Sequence, residues 1–166
     1  MIKVGISGCL GFFKCRYDGD MCGDFDHNAV MDFLKNEFET DKIILMPVCA
    51  EQLGGLPTPR VQAEIIDGDG FDVWLNKARV INKNGEDVTA HFKRGANQIL
   101  HFARKSGIKA FILKENSPSC GVKQIYSGEF DGVKKQGKGV TSALLEVSNI
   151  RIYSDENISG INSKEV

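Results

Sequence analysis

The sequence predicts an α/β protein: a single layered domain with a mainly parallel sheet, helices on both faces and a small inserted β excursion. Three observations carry that expectation. Short apolar runs at residues 3–7, 42–48 and 110–113 have the length and composition of buried strands. Segments with helical periodicity lie between or after them, as in parallel sheets built from strand–helix units. The joints are punctuated by Gly, Pro and Ser, and 18 glycines in 166 residues indicate many tight turns. Together these describe a Rossmann-like architecture, in which ligands bind beyond the strand C-termini.

The first strand is expected at 3–7 and ends at Gly8-Cys9. Residues 26–38 read as a helix, because Val30, Phe33, Leu34 and Phe38 fall on one face while Asp32, Lys35 and Glu37 face away. Ile43-Ile44-Leu45-Met46 then supplies a run typical of a strand buried on both faces. From 54 to 85 the pattern breaks into a loop and two or three short strands, with candidates at Val73-Trp74-Leu75 and Ala78-Arg79-Val80-Ile81. Asp87 is the expected N-cap of the next helix, whose stripe is Val88, Phe92, Ala96, Ile99, Leu100 and Ala103, and Gly107 its C-cap. The strand at 110–113 leads through Lys114-Glu115-Asn116 into a Gly- and Lys-rich excursion at 125–139. A helix at 140–148 and a strand at 151–153 complete the domain, taken as 1–160, with 161–166 expected as a flexible tail.

A net charge of -1 gives no long-range attraction to phosphate backbones, so nucleic acid is not the expected partner; a small molecule is. The opening residues are too short and too Gly-broken for a signal peptide, and no apolar run reaches membrane-spanning length. The expected location is the cytoplasm. There the five cysteines would stay reduced, which leaves buried thiols, metal ligands or catalytic thiols as their roles.

Cys9, Cys49 and Cys120 each lie in a Gly-, Pro- or Ser-flanked segment at or beyond the exit of an expected strand. If the strands are neighbours, three thiols converge, as in a metal or iron-sulfur site. A closed zinc site would recruit Cys15 or Cys22 as a fourth ligand, although the paired C-x2-C knuckles of zinc ribbons are missing. Inert core thiols and a single catalytic cysteine are the remaining readings.

Glu51, two residues after Cys49, is a candidate acid/base if burial raises its pKa, and otherwise a solvated loop carboxylate. Ser117 and Ser119 flank Pro118, where a hydroxyl closes a turn or orients a ligand. Arg16-Tyr17-Asp18 places a planar cation, an aromatic and a carboxylate on the loop after Cys9. That mixture suits a planar polar heterocycle or an Arg–Asp turn contact, and Arg60 carries the same two readings. Residues 132–139 nearly spell a phosphate loop, but Gly139 stands where Ser or Thr is required, so a mobile surface loop or lid is expected instead. Asp67-Gly68-Asp69-Gly70 lacks calcium-loop spacing. His27, His91 and His101 fall on helices away from the cysteine loops and receive no role.

Taken in order, the segments Ile6-Ser7-Gly8-Cys9, Cys15-Arg16-Tyr17-Asp18-Gly19, Pro47-Val48-Cys49-Ala50-Glu51, Leu53-Gly54-Gly55-Leu56-Pro57-Thr58-Pro59-Arg60, Ala63-Glu64-Ile65, Lys114-Glu115-Asn116-Ser117-Pro118-Ser119-Cys120-Gly121 and Gly139-Val140-Thr141 resemble those of a family of small bacterial proteins, the thiouracil desulfidases. The resemblance runs over nearly the whole chain. It implies a 4Fe-4S cluster held by Cys9, Cys49 and Cys120 with the fourth iron open, Glu51 as acid/base and Ser117 as assisting hydroxyl. It further implies a non-redox lyase reaction in which the open iron captures a thiocarbonyl sulfur, water attacks the carbon, and sulfur leaves as hydrosulfide. This chain has Leu10-Gly11-Phe12 where the family usually has Leu-Leu-Gly, and Cys49-Ala50-Glu51 where it has Cys-Pro-Glu. The expected substrate is therefore a thiolated heterocycle as a class, bound by Arg16, Tyr17, Asp18, Arg60 and Ser119. Two other classes stand beside this one: a non-catalytic cluster or sulfur-carrier protein, and a structural zinc domain.

Overall fold

The structure, a computed structural model, describes residues 1–23 and 25–159. The elements run β1 (Ile2–Ser7), α1 (His27–Phe38), β2 (Ile43–Val48), α2 (Ala50–Leu53), β3 (Ala63–Ile66), α3 (Gly70–Trp74), β4 (Arg79–Asn82) and α4 (Thr89–Ser106). There follow β5 (Ile108–Leu113), β6 (Gln124–Tyr126), β7 (Lys134–Gln136), α5 (Val140–Val147), β8 (Arg151–Ser154) and α6 (Asp155–Ser159). Four strands form a parallel sheet in the order β2-β1-β5-β8. Two antiparallel pairs, β3 with β4 and β6 with β7, make up the inserted excursion. The boundary expected at 160 and the tail expected at 161–166 lie outside the described residues.

Side-chain alternation sends the sheet's apolar residues to two faces. Val4, Ile6, Ala110 and Ile112 pack with Val30 and Leu34 of α1 and Ile158 of α6. Phe111, Leu113 and Ile108 pack on the other face with Ile99, Leu100 and Ala103 of α4 and Leu145 of α5. Ile108 and Ala110 face opposite sides despite their even spacing because the β1–β5 register slips between Lys3 and Val4, inserting an unpaired Lys109. Phe92 and Ala96, nearer the start of α4, join Ile65, Val73, Val80 and Val140 in a third cluster under the excursion. One helix thus belongs to both the main sheet and the excursion, which fixes one against the other.

Several local expectations change. The run at 43–46 forms an edge strand, with Ile44 40% exposed, because among the described residues nothing pairs beyond β2. An apolar run records hydrophobicity but not strand order. Val73 and Trp74 belong to α3 rather than a strand, since Asp69 forms a capping box with Asp72 that starts a helical turn. Helix α4 begins at Thr89 with Val88 as its cap residue, while Asp87 accepts a hydrogen bond from the Thr89 N–H. Residues 124–136 form a hairpin instead of a lid. It is pinned by Lys135 donating to the Ile65 carbonyl and by the Gly137 N–H donating to Lys123. No helix among the described residues is long and apolar enough to cross a membrane.

Candidate active site

The exits of β1, β2 and β5 meet at one end of the sheet, where Ser7 and Val48 are partners at the strand ends. The Gly8 N–H donates to the Val48 carbonyl at 2.7 Å, tying the first two exits together. Cys9 follows that tie, and the Cys22 N–H donates back to the Cys9 carbonyl at 2.8 Å, folding residues 9–22 over the site. Cys49 is the cap residue of α2. Cys120 sits in a tight turn in which Ser117 Oγ accepts from the Ser119 and Cys120 N–H groups, both at 3.1 Å. The Ser142 hydroxyl donates to the Cys120 carbonyl at 2.8 Å.

These loops enclose a cavity of about 630 Å³ whose wall includes Cys9, Cys15, Cys49 and Cys120. All five cysteines are free thiols. Contact with Cys15 and burial push Cys9 up to about 12, against an opposing contact with Cys22. Contact with Cys49 and burial push Cys15 up to about 12, against the contact with Cys9. Burial pushes Cys120 up to about 11, opposed by hydrogen bonds with Ser7 and Ser119. Cys49 is lowered by the Cys15 thiol and the Gln52 N–H, which outweigh burial. Cys9, Cys15 and Cys120 therefore stay mostly protonated by themselves, and a bound cation would reverse that by taking thiolates as ligands. Among the described residues no three His, Cys, Asp or Glu side chains converge as around a single metal ion. Thiols spread around a cavity wall suit a polynuclear cluster, whose body spans the gaps between loops.

Glu51 lies in α2 and also lines the cavity. Its Oε2 receives Arg60 Nη2 in a close ion pair, and the same Nη2 donates to the Cys15 carbonyl at 2.9 Å. Burial raises the Glu51 pKa, while the Arg60 charge and hydrogen bond pull it down; burial prevails. Helix α2 is itself gripped by α4. His91 Nδ1 and Arg94 Nη1 both donate to the Gly54 carbonyl, at 2.8 and 3.2 Å. Gly95 permits this approach, since a Cβ there would stand 1.8 Å from the Ala50 carbonyl oxygen.

Of the residues singled out in the sequence, Cys9, Cys49, Cys120, Glu51, Arg60, Ser117, Ser119, Arg16 and Tyr17 all line the cavity. Asp18 does not: it pairs with Arg16 at 3.7 Å and accepts from the Asp20 N–H, closing a turn. Arg60 is spent largely on Glu51, Cys15 and Thr58. The Ser119 hydroxyl is buried against Thr141 Oγ1 at 2.9 Å.

Sequence reasoning gave no role to Ser7, Lys114, Asn116, His91 and Tyr126, which also line the wall, and it took Cys15 as a possible fourth zinc ligand or a loop thiol near the site. Ser7 was findable as the last residue of β1, since strand ends point to the site. His91, set aside as remote, reaches the cavity because α4 packs on α2, a contact between distant segments that no local pattern reveals.

An α/β domain whose parallel strands deliver several thiols and a buried carboxylate to one cavity defines a thiol-lined enzyme class of the Rossmann-like kind. The chain belongs to the 2-thiouracil desulfurase family, whose model matches residues 4–157. It is 40% identical over 156 residues to the uncharacterized protein YbbK of Bacillus subtilis (strain 168), covering 94% of this chain and 97% of that one. Among solved structures it is similar to the [4Fe-4S]-dependent thiouracil desulfidase TudS, with a TM-score of 0.77 and 36% identity over 98% of this chain and 97% of that one. The fold is thus that of a carbon-sulfur-cleaving desulfidase.

Proposed function

We propose that this protein desulfidates a thiolated heterocycle of the thiouracil kind in a reducing, cytoplasmic setting, with a 4Fe-4S cluster held by Cys9, Cys49 and Cys120. The observation that carries the reading is that thiols from the exits of β1, β2 and β5 share one cavity wall with the buried carboxylate of Glu51. Cys15 shares its loop with Cys9 and is more deeply packed, so three separate exits supply the ligand set. The similarity to TudS supports the cofactor. When bound, the cluster would supply an open iron as a soft Lewis acid for a thiocarbonyl sulfur.

The chain's own residues supply the rest. Arg60 engages Oε2 of Glu51, and Oε1 carries no hydrogen bond from a described residue. Oε1 is therefore the atom that takes the proton from an attacking water as the carbon-oxygen bond forms and the carbon-sulfur bond breaks. Ser117 Oγ already accepts two N–H groups, so its own proton is available to the substrate. Arg16 lies over the Tyr17 ring at 5.8 Å, and the two offer planar surfaces at the cavity wall for a heterocycle.

The test is iron and acid-labile sulfide analysis of protein reconstituted without oxygen, followed by incubation with 2-thiouracil. About four irons per chain and release of uracil with hydrosulfide are expected. A loaded cluster that binds sulfide but releases none from any thio-base would make the protein a sulfur carrier, and failure to load iron would remove the desulfidase reading.

A further inference from the structure

We propose that His91 is a specificity-determining residue whose Nε2 accepts a ring N–H from the edge of the heterocycle opposite its sulfur. This rests on the desulfidase reading given above.

Helix α2 carries different chemistry at its two ends. Cys49 caps its start, Glu51 lies in its first turn, and Gly54 closes it. At the rise of an α-helix, Cys49 and Gly54 stand about 7.5 Å apart along the axis. His91 Nδ1 meets the Gly54 carbonyl at 2.8 Å, so the imidazole sits at the end of α2 away from the thiol and the carboxylate. It nonetheless lines the same cavity as both. A heterocycle with its sulfur toward the thiols therefore turns its opposite edge toward His91.

The bond to Gly54 also fixes the roles of the two ring nitrogens. A carbonyl oxygen only accepts, so Nδ1 carries the proton, and in the neutral ring Nε2 is left as an acceptor. No described residue donates to Nε2, and Nε2 is not sealed inside the protein. The wall beside it is apolar: Val88 and Phe92 flank His91 on the α4 side, and Leu56 packs with them. One directed acceptor on an apolar wall selects for ligands that carry a donor at that point, because an isomer without one leaves the acceptor unpaired.

That placement separates the two thio isomers of uracil. In 4-thiouracil the ring position across from the sulfur-bearing carbon is N1–H, a donor. In 2-thiouracil it is C5–H, which offers none. Both isomers yield uracil, but His91 favours binding of the first.

The experiment compares wild type, His91→Asn and His91→Gln on 4-thiouracil and 2-thiouracil. Each protein is reconstituted anaerobically and assayed at about pH 8, above the ordinary histidine range. Iron content and thermal melts establish that each is folded and loaded. An Asn amide can still donate to the Gly54 carbonyl but places nothing at Nε2, whereas the longer Gln reaches that position and can accept there. His91→Asn should raise KM by about tenfold for 4-thiouracil and by less than about twofold for 2-thiouracil, with kcat moving less than KM. His91→Gln should recover part of the loss. An equal rise on both isomers would make His91 a support of α2 through Gly54 and overturn the proposal, as would an unchanged ratio of KM values. Should His91→Asn fail to fold, His91→Gln decides alone: a KM ratio kept near wild type supports an acceptor at this place, and a lost one in folded, loaded protein overturns it. A loaded wild type that turns over neither isomer would instead sink the reading on which the proposal rests.

Discussion

Arg60 reaches across nine positions of sequence to pair with Glu51, and its same nitrogen holds the main-chain carbonyl of Cys15. One guanidinium therefore joins α2, which follows β2 and carries the carboxylate, to the β1 exit loop, which carries three of the five thiols. Both side chains of the pair are largely buried. Removing one partner would strand a buried charge, at a cost of about 3 kcal/mol in stability.

Glu51→Gln should keep the iron content and visible spectrum of wild type while turnover falls by about 10²- to 10⁴-fold, the usual span for loss of a general acid/base. Retained turnover would remove Glu51 from the chemistry.

The acidic limb of the kcat/KM profile should lie above the ordinary carboxylate range, because burial raises the Glu51 pKa and a base must be ionised to act. Arg60 opposes that rise, so Arg60→Ala should move the limb to still higher pH and Arg60→Lys should move it less. A limb that stays in place in Arg60→Ala would show that the ion pair does not govern the active carboxylate.

Serine substitutions at Cys9, Cys49 and Cys120 should each abolish stable iron loading, whereas Cys15→Ser should still take up about four irons per chain. Sulfide and iron analysis on the four variants separates a three-cysteine cluster from any arrangement that needs Cys15.

Glu115 is 2% exposed, and its Oε1 accepts the N–H groups of Val122, Lys123 and Gln124, shaping the chain just after the Cys120 turn. Burial raises its pKa, but hydrogen bonds from Ser154 and these amides outweigh it and the net shift is downward. A depressed carboxylate stabilises the fold above its unfolded pKa, and that contribution is lost as pH falls through the folded value. Urea unfolding should therefore show Glu115→Ala destabilised by about 3 kcal/mol near neutral pH, with the difference shrinking in acid. A difference independent of pH would rule out the ionised form as the stabilising one.

Gly95→Ala should destabilise the fold by about 1–3 kcal/mol and lower turnover, since its methyl group would meet the Ala50 carbonyl and push α2, with Glu51, off α4. Thermal melts beside steady-state rates check both effects.

The strands of the main sheet, its three long helices and the three cysteine-bearing exits were legible because each depends on local pattern: apolar run, helical stripe, Gly or Pro stop. The helix at 27–38 begins after Asp26, whose side chain accepts the Asn28 and Ala29 N–H groups. Gly107 closes α4 in the left-handed region, with φ +70. Which strand sits at an edge was not legible. Ile43-Ile44-Leu45-Met46 has the same composition whether or not a neighbour covers it, and only the order β2-β1-β5-β8 leaves it outermost.

The sequence by itself determined which residue types stand at the strand exits, and with them the thiols, the carboxylate and the hydroxyls available for chemistry. The tertiary structure alone decided their pairing. It paired Arg60, a candidate substrate contact, with Glu51, left Asp18 out of the cavity wall, and brought in Ser7 and His91. The physical reason is that local pattern reports which side chains must be buried, while partners such as Ser7 and Lys114, 107 residues apart, meet only when the sheet and its helices close on a common core.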